Sequence, residues 1–215
     1  MRKLRDYSME KLEQLGIVPV DYAVLRSLYS NYHFPRNKIA SLEEEGKIIR
    51  LKRSMYVVSP KVTKQLLSAE LIANHIYGPS YVSMESALSH YGLIPEHVYT
   101  LRSLTMNRSK KFTNSIGNFE YITINRDYYP IGIRQETIEN KYTFLIASIE
   151  KALCDMIVIT PQLRLQSEKA LITFLEEDLR FDMSALDNMN KDIIKDCIKV
   201  GRKKDILKLL LNLLS

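Results

Sequence analysis

Apolar positions between residues 34 and 60 follow two periods, one after the other. Ile39 and Leu42 stand three residues apart after a proline, which is typical of a short helix that begins at the proline and buries one face. Gly46 then favours a helix end, because glycine adopts the left-handed conformation at little cost. Beyond it, apolar residues alternate on both sides of Lys52-Arg53-Ser54, which predicts a two-stranded ribbon with a basic tip.

The polar residues of this helix lie on the face opposite to the apolar ones. At about 100° per residue, Asn37, Ser41 and Glu44 point away from the apolar pair. Arginine and asparagine side chains pair with guanine and adenine edges in the major groove, whereas basic residues of a ribbon contact phosphates. The pattern predicts a winged helix-turn-helix on double-stranded DNA, with contacts from Arg36, Asn37, Lys38, Ser41, Lys47, Arg50, Lys52 and Arg53.

The rest of the pattern predicts an α+β protein with two domains. Residues 1–60 would form the winged helix-turn-helix, with a first helix capped by Ser8 and a second beginning near Asp21. Residues 61–215 would form a mixed α/β domain that ends in a helical bundle. Its expected elements are helices at 61–77, after Ser83 and after Ser148, strands at 99–106, 119–124, 131–138 and 142–146, and further helices at 163–179, 183–199 and 203–215.

Charge is distributed unevenly along the chain. The net charge is +6, and residues 1–64 hold 13 Lys and Arg against 7 Asp and Glu. The remaining 151 residues hold 18 of each sign. The whole positive excess therefore falls on the first domain, as expected for a domain that docks on nucleic acid.

Cysteine usage and the absence of long apolar runs indicate a cytoplasmic protein. Cys154 and Cys197 both fall in apolar helical patterns, which is typical of core residues in a reducing compartment. Residues 1–5 are basic and are followed by polar residues, so we expect no secretory signal. No segment approaches the length of a membrane span, so we expect no membrane partner.

The residue types do not assemble into a familiar catalytic or metal-binding pattern. The four histidines, at 33, 75, 90 and 97, show no ligand spacing with each other or with the cysteines. Asp127 followed by Glu139-Asn140-Lys141 fits a loose metal-nuclease pattern, but the second motif more naturally makes a turn between two strands. We therefore expect no enzymatic activity, no metal and no cofactor.

Two groups of charged residues are candidates for a functional surface on the second domain. The loop with Arg108, Lys110 and Lys111 fits contact with RNA or an acidic partner, and equally an ordinary solvated loop. Glu150 and Lys151 open a helix and fit a functional surface, or Lys151 pairs with the carboxylate four residues on. Both interpretations stay open for each group.

Several ordered landmarks together resemble a known family. The stretch from about residue 23 to 158 contains a winged-helix pattern, then YVSMESALSHYGL, a KKF loop, GIR and LIASIEKALCDMI. In this order they resemble the AbiEi antitoxins of type IV, or abortive-infection, toxin–antitoxin systems. The chain departs from that family at the wing tip, where Arg53-Ser54-Met55 precede Tyr56 in place of a glycine-rich tip.

The resemblance implies two activities in one chain. The winged helix would bind inverted repeats upstream of its own operon and repress transcription. The second domain would counteract a cognate nucleotidyltransferase-like toxin, and direct binding between the two proteins is not required. The residues by themselves leave a second interpretation open, a plain winged-helix transcriptional regulator whose second domain senses a ligand or a partner.

Overall fold

The computed structural model describes residues 9–96 and 98–214, and within them the chain is a mixed α+β protein. Ser8, which we expected to cap the first helix, and His97 lie outside the described residues. We call residues 9–59 the N-terminal unit and residues 60–214 the C-terminal unit. No helix among the described residues is both long enough and apolar enough to span a lipid bilayer.

The N-terminal unit consists of short helices and a three-stranded antiparallel sheet. Its elements are α1 (9–14), β1 (Val20–Asp21), α2 (Tyr22–Leu28), α3 (Pro35–Glu44), β2 (Ile48–Lys52) and β3 (Met55–Val58). The order is β1-β3-β2, with Val20 opposite Tyr56 and Ile48 opposite Val58. The predicted helix and basic-tipped ribbon are confirmed, whereas the third strand, β1, was not predicted because it is only two residues long.

A single apolar cluster fixes α3 against the rest of this unit. Ile39 and Leu42 are 2% and 0% exposed and are the two fully buried side chains of the helix. They pack with Leu12, Leu25, Tyr29, Ile48, Tyr56 and Val58. Because the helix is buried along this one stripe, its opposite face is left to solvent.

The segment between the units is not the single helix that we expected over 61–77. It forms α4 (Pro60–Thr63) and α5 (Ala69–Ile76), because Lys64 adopts a left-handed conformation with φ 58° that ends the first helix. Each helix has its own serine cap, since the hydroxyls of Ser59 and Ser68 accept the backbone N–H groups of Lys61 and Leu71.

The C-terminal unit is built on a six-stranded mixed sheet of order β6-β7-β5-β4-β9-β8. Its first elements are β4 (Ser80–Val82), α6 (Met84–His90), β5 (Thr100–Thr105), β6 (Lys110–Thr113), β7 (Asn118–Thr123), β8 (Ile133–Ile138) and β9 (Tyr142–Ala147). Strand β5 runs parallel to β7 and β4 parallel to β9, whereas the other neighbours are antiparallel. The four predicted strands are confirmed as β5, β7, β8 and β9, but β4 and β6 were missed.

The helices from residue 149 onwards pack on one another, and the first of them packs on this sheet. They are α7 (Ile149–Ile159), α8 (Glu168–Thr173) with a π-helical extension (Phe174–Asp178), a 3-10 helix (Met183–Asn188), α9 (Lys191–Val200) and α10 (Lys204–Leu213). Two of the long helices expected here are therefore wrong in extent: the one expected over 163–179 begins only at Glu168, and the one expected over 183–199 is split in two. The apolar face of the leucine-rich α10 packs within the chain, because Ile206, Leu207 and Leu210 are buried.

The two units share part of one core. Leu51 and Val57 of the N-terminal ribbon belong to the large apolar cluster of the C-terminal unit. Two hydrogen bonds cross the same junction: Asn114 Nδ2 donates to the Leu51 carbonyl at 3.0 Å, and Lys52 Nζ donates to the Ile76 carbonyl at 2.6 Å. The ribbon is therefore held by the C-terminal unit along one side.

Candidate nucleic-acid interface

The N-terminal end of α3 presents polar side chains to solvent. Arg36 and Asn37 are exposed, and neither side chain has a hydrogen-bond or ion-pair partner among the described residues. Lys38 is half-buried, and its ammonium lies 5.9 Å from the ring centre of Tyr32. The first turn of the helix thus offers donors and acceptors that no neighbouring group occupies.

The C-terminal end of α3 differs, because its carboxylates bind neighbouring cations. Glu43 accepts from Arg50 Nη2 at 2.7 Å, and Glu45 accepts from the ammonium of Lys47. Glu45 also accepts from the Ser41 hydroxyl at 2.6 Å. Hydrogen bonds from Lys47 and Ser41 lower the pKa of the Glu45 carboxyl from 4.5 to about 2. Three of the predicted DNA contacts, Ser41, Lys47 and Arg50, are therefore engaged by glutamates in the free protein.

The last two predicted contacts, Lys52 and Arg53, are neighbours at the tip of the ribbon but have different surroundings. Lys52 is half-buried and donates to the carbonyl at the end of α5, so it serves the junction between the units. Arg53 is exposed and has no partner within residues 9–96 and 98–214. Ser54 follows with a left-handed φ of 62°, and its carbonyl accepts the Tyr22 N–H at 2.8 Å, which anchors the turn to the start of α2.

The basic loop of the C-terminal unit lies at an edge of the large sheet. Arg108, Lys110 and Lys111 are exposed at and before β6, the outermost strand on that side. Lys111 pairs with Glu120 on the neighbouring strand at 2.8 Å. The Lys110 ammonium lies 5.1 Å from the ring centre of Phe112. The three residues are accessible, as expected, but they belong partly to a strand and only partly to a loop.

Glu150 and Lys151 do not lie on a surface, which corrects the prediction that placed them there. Glu150 is 5% exposed and Lys151 is fully buried. Glu150 Oε1 accepts the backbone N–H of Asn190 at 2.8 Å and so ties α7 to the start of α9. Lys151 Nζ lies 3.2 Å from Asp155 Oδ1, which confirms the expected pair. Their position on a helix packed under the sheet, rather than their residue type, decides their burial.

The carboxylate of Asp155 is surrounded by polar groups from other elements. Its Oδ2 accepts from the Ser83 hydroxyl at 2.6 Å and from the Tyr81 hydroxyl at 3.1 Å. Lys151 Nζ also donates to the Tyr128 carbonyl at 3.0 Å. Burial raises the pKa of the Asp155 carboxyl above its ordinary value, although Lys151 and Ser83 oppose the shift. Ser83 precedes α6 as expected, but its hydroxyl serves Asp155 and makes no cap hydrogen bond.

No periodicity in the sequence indicated that Tyr81 and Tyr128 would join this cluster. The residues around Asp155 come from three places: α7, β4 with its following residue, and the loop before β8. The parallel pairing of β4 with β9, at Val82 and Ile146, places Tyr81 and Ser83 beside the strand that leads into α7. The cluster is closed to solvent, so it is an internal brace between helix and sheet.

An open cleft lies between the sheet and the end of α7. Its volume is about 800 Å³, which falls within the usual range of ligand-binding pockets. Met84, Tyr121, Met156 and Phe174 line its apolar side, and Arg102 and Lys111 line its charged side. Arg102 is held there by Glu85 at 2.6 Å and by Glu120 at 3.2 Å.

The residues considered for metal chemistry are dispersed. No group of three His, Cys, Asp or Glu side chains in the described part of the chain is arranged to hold a metal ion. Glu139 and Asn140 have left-handed φ values of 49° and 56° and form the turn between β8 and β9. Glu139 pairs with Lys141 across this turn. The prediction that this motif makes a turn is confirmed, and so is the burial of both cysteines, which are free thiols.

No model of a known protein family matches the chain, and no curated protein matches it either.

Proposed function

We propose that this chain is a transcriptional repressor that binds double-stranded DNA through a winged helix-turn-helix formed by its N-terminal unit. One observation carries the proposal: α3 buries one apolar stripe and presents Arg36 and Asn37, exposed and unpaired, at its N-terminal end. A recognition helix contacts base edges with its N-terminal residues. The positive charge of the chain, which falls on residues 1–64, supplies the attraction to phosphates.

In this arrangement the base contacts come from the first turn of α3 and the phosphate contacts come from the ribbon. Arg53 is the ribbon cation that is ready for a phosphate, because it has no partner within the described residues. Lys47 and Arg50 are paired with Glu45 and Glu43, so each must break its pair before it can bind a phosphate oxygen. Lys52 remains at the junction with α5.

We propose, on the basis of the resemblance to the AbiEi antitoxins, that the same chain is an antitoxin in the cytoplasm. It would repress its own operon and counteract a nucleotidyltransferase-like toxin, without needing to form a stable complex with it. The exposed cations Arg108, Lys110 and Lys111 are the accessible part of the surface that we assign to this task. Glu150 and Lys151 are removed from that surface because they are buried.

The experiment that tests both halves uses the full chain and point variants. Growth is measured while the gene that follows this one is induced, with the wild-type chain, with Arg36→Ala/Asn37→Ala, or with Lys110→Ala/Lys111→Ala. We expect the wild-type chain to relieve toxicity and to repress a reporter fused to its own promoter. The α3 variant should lose repression and keep relief, and the β6 variant should do the reverse. If the neighbouring gene is not toxic, the proposal that this chain is an antitoxin is wrong, and the proposal that it is a repressor is unaffected.

The cleft favours a second candidate, a repressor whose C-terminal unit senses a small ligand. The β6–β7 hairpin forms one wall of the cleft through Lys111 and Tyr121, and Asn114 in its turn donates to the Leu51 carbonyl of the ribbon. A bound ligand would therefore contact an element that also holds the ribbon. This candidate predicts that a compound from a metabolite library changes the DNA affinity of the wild-type chain but not that of a variant with the cleft filled by Met156→Trp.

A further inference from the structure

Phe34 lies immediately before α3, and its backbone angles, φ −130° and ψ 80°, are not helical. Within the helix, Asn37 and Ser41 lie on the face opposite to the buried Ile39 and Leu42. The polar face that would enter the major groove therefore begins next to an aromatic residue.

The position of Phe34 is fixed and its side chain is open to solvent. Its carbonyl accepts the N–H groups of Asn37 at 3.1 Å and Lys38 at 3.3 Å, which holds the residue at the start of the helix. The residue is 64% exposed, and its ring centre lies 4.4 Å from that of the exposed His33. An exposed phenylalanine thus lies at the N-terminal end of α3, and its carbonyl accepts from the backbone of an asparagine whose side chain has no partner among the described residues.

These two side chains are complementary to the same kind of base pair. Asparagine binds adenine through two hydrogen bonds in the major groove, and phenylalanine contacts the 5-methyl group of thymine. The 3.1 Å hydrogen bond from the Asn37 N–H to the Phe34 carbonyl keeps the two residues next to each other at this end of the helix. We infer that Phe34 reads a thymine methyl group next to an adenine bound by Asn37, so that the recognised sequence contains adjacent A·T pairs. This inference rests on the proposed DNA-binding function.

The test starts from DNA that the full chain selects from a random duplex library. Each thymine of the selected sequence is then replaced, one at a time, by deoxyuridine, which lacks only the methyl group. We expect one replacement to weaken wild-type binding about fourfold, the factor that corresponds to about one buried apolar carbon. The variant Phe34→Ala should bind the thymine and the uracil duplex equally.

Two matched variants separate this effect from general loss of binding. Leu66→Ala removes an apolar side chain that is 89% exposed outside α3, and it should leave both affinities unchanged. Asn37→Ala should lose the preference for adenine while keeping the fourfold ratio between thymine and uracil. Because Phe34 is exposed, its truncation should not unfold the protein, and the deoxyuridine arm changes no residue at all.

The possible failures are distinct. If the chain selects a sequence but no uracil replacement weakens it, or if Phe34→Ala keeps the fourfold ratio, the inference about Phe34 is wrong and DNA binding stands. If the chain selects no sequence and binds no duplex in a salt-dependent way, the proposed function and this inference fall together.

Discussion

Charged residues have different surroundings near α3 and in α7. Near α3, Arg36 and Arg53 are exposed and unpaired among the described residues, and Lys47 and Arg50 form exposed pairs with Glu45 and Glu43. In the C-terminal unit Lys151 and Asp155 are both fully buried and 3.2 Å apart. Exposed pairs contribute about 0–1 kcal/mol, whereas breaking a buried pair costs about 3–5 kcal/mol. Charge therefore faces solvent around α3 and braces the fold around Asp155.

The largest effect is expected from breaking the buried pair. Lys151→Met should lower the free energy of unfolding by about 3–5 kcal/mol, because it leaves the Asp155 carboxylate buried without its cation. The control is Lys195→Met, which breaks an exposed pair with Asp192 and should cost less than about 1 kcal/mol. Urea unfolding followed by circular dichroism measures both. Equal losses in the two variants would show that Lys151 is not a brace.

A glycine that touches the same helix should give the next largest effect. Gly132 has φ 62°, and a Cβ there would lie 2.8 Å from Lys151 Cβ and 2.9 Å from Ile193 Cγ2. Gly132→Ala should therefore cost about 2–4 kcal/mol, from left-handed strain together with overpacking.

The matched control for this change is Gly92→Ala. Gly92 has a similar φ of 71° but nothing within 4 Å of the added Cβ, so we expect about 1–2 kcal/mol from strain alone. Thermal or urea unfolding of the two variants compares them directly. A Gly132 variant as stable as the Gly92 variant would mean that the packing around Lys151 yields easily.

The exposed cations are distinguished by the salt dependence of DNA binding. Arg53→Ala should reduce the slope of log affinity against log salt by about 1, because one phosphate contact is lost. Lys52→Ala should leave the slope unchanged, since its ammonium is bound to the Ile76 carbonyl. Fluorescence anisotropy on one duplex at several salt concentrations measures both slopes. A reduced slope for Lys52→Ala would show that Lys52 contacts a phosphate, contrary to this prediction.

The smallest effect is expected at a half-buried pair between α5 and α6. Glu70 raises the pKa of His90 above 6.5, and His90 in turn lowers the pKa of Glu70 below 4.5. The imidazolium therefore stabilises the fold fully below about pH 6.5, and this contribution is lost as pH rises through the folded-state pKa of His90.

The carboxylate sets the other limit, because its contribution is present above about pH 4.5 and lost as pH falls through its lowered pKa. The stability difference between the wild type and His90→Gln, measured by urea unfolding, should thus be largest between about pH 4.5 and 6.5 and stay below about 1 kcal/mol. A difference that grows from pH 6.5 to 9 would contradict this pairing.

Local features of the sequence were sufficient to predict α3 and the ribbon. Pro35 at the first position, two apolar residues three apart and Gly46 in a left-handed conformation all act within a few residues of one another. The same holds for α7, where Ser148 caps the helix as expected. α3 and the ribbon also carry the residues that we assign to DNA, so the position of these residues on one helix and one ribbon was predictable, but the binding of Ser41, Lys47 and Arg50 by glutamates was not.

Elements that depend on distant partners were not predictable. Strand β4 is three residues long, and β6 carries Lys110 and Lys111 on an edge, so neither shows a strand period. Lys151 and Glu150 are residue types that normally lie on surfaces, and their burial depends on partners distant in the sequence, the carbonyl of Tyr128 and the N–H of Asn190. In the sequence, Lys52 likewise resembles the exposed cations of the ribbon. Only the position of α5 shows that its ammonium is bound, by the Ile76 carbonyl.

The most direct test of the central claim is the affinity of the full chain for selected duplex DNA at several salt concentrations, with Arg36→Ala/Asn37→Ala as the comparison. We predict that the wild-type chain prefers the selected sequence over a scrambled duplex, and that its affinity falls steeply as salt rises. The α3 variant should bind both duplexes alike, at the wild-type level for the scrambled one. Sequence preference that survives the α3 variant, or no salt-dependent binding at all, would contradict the account.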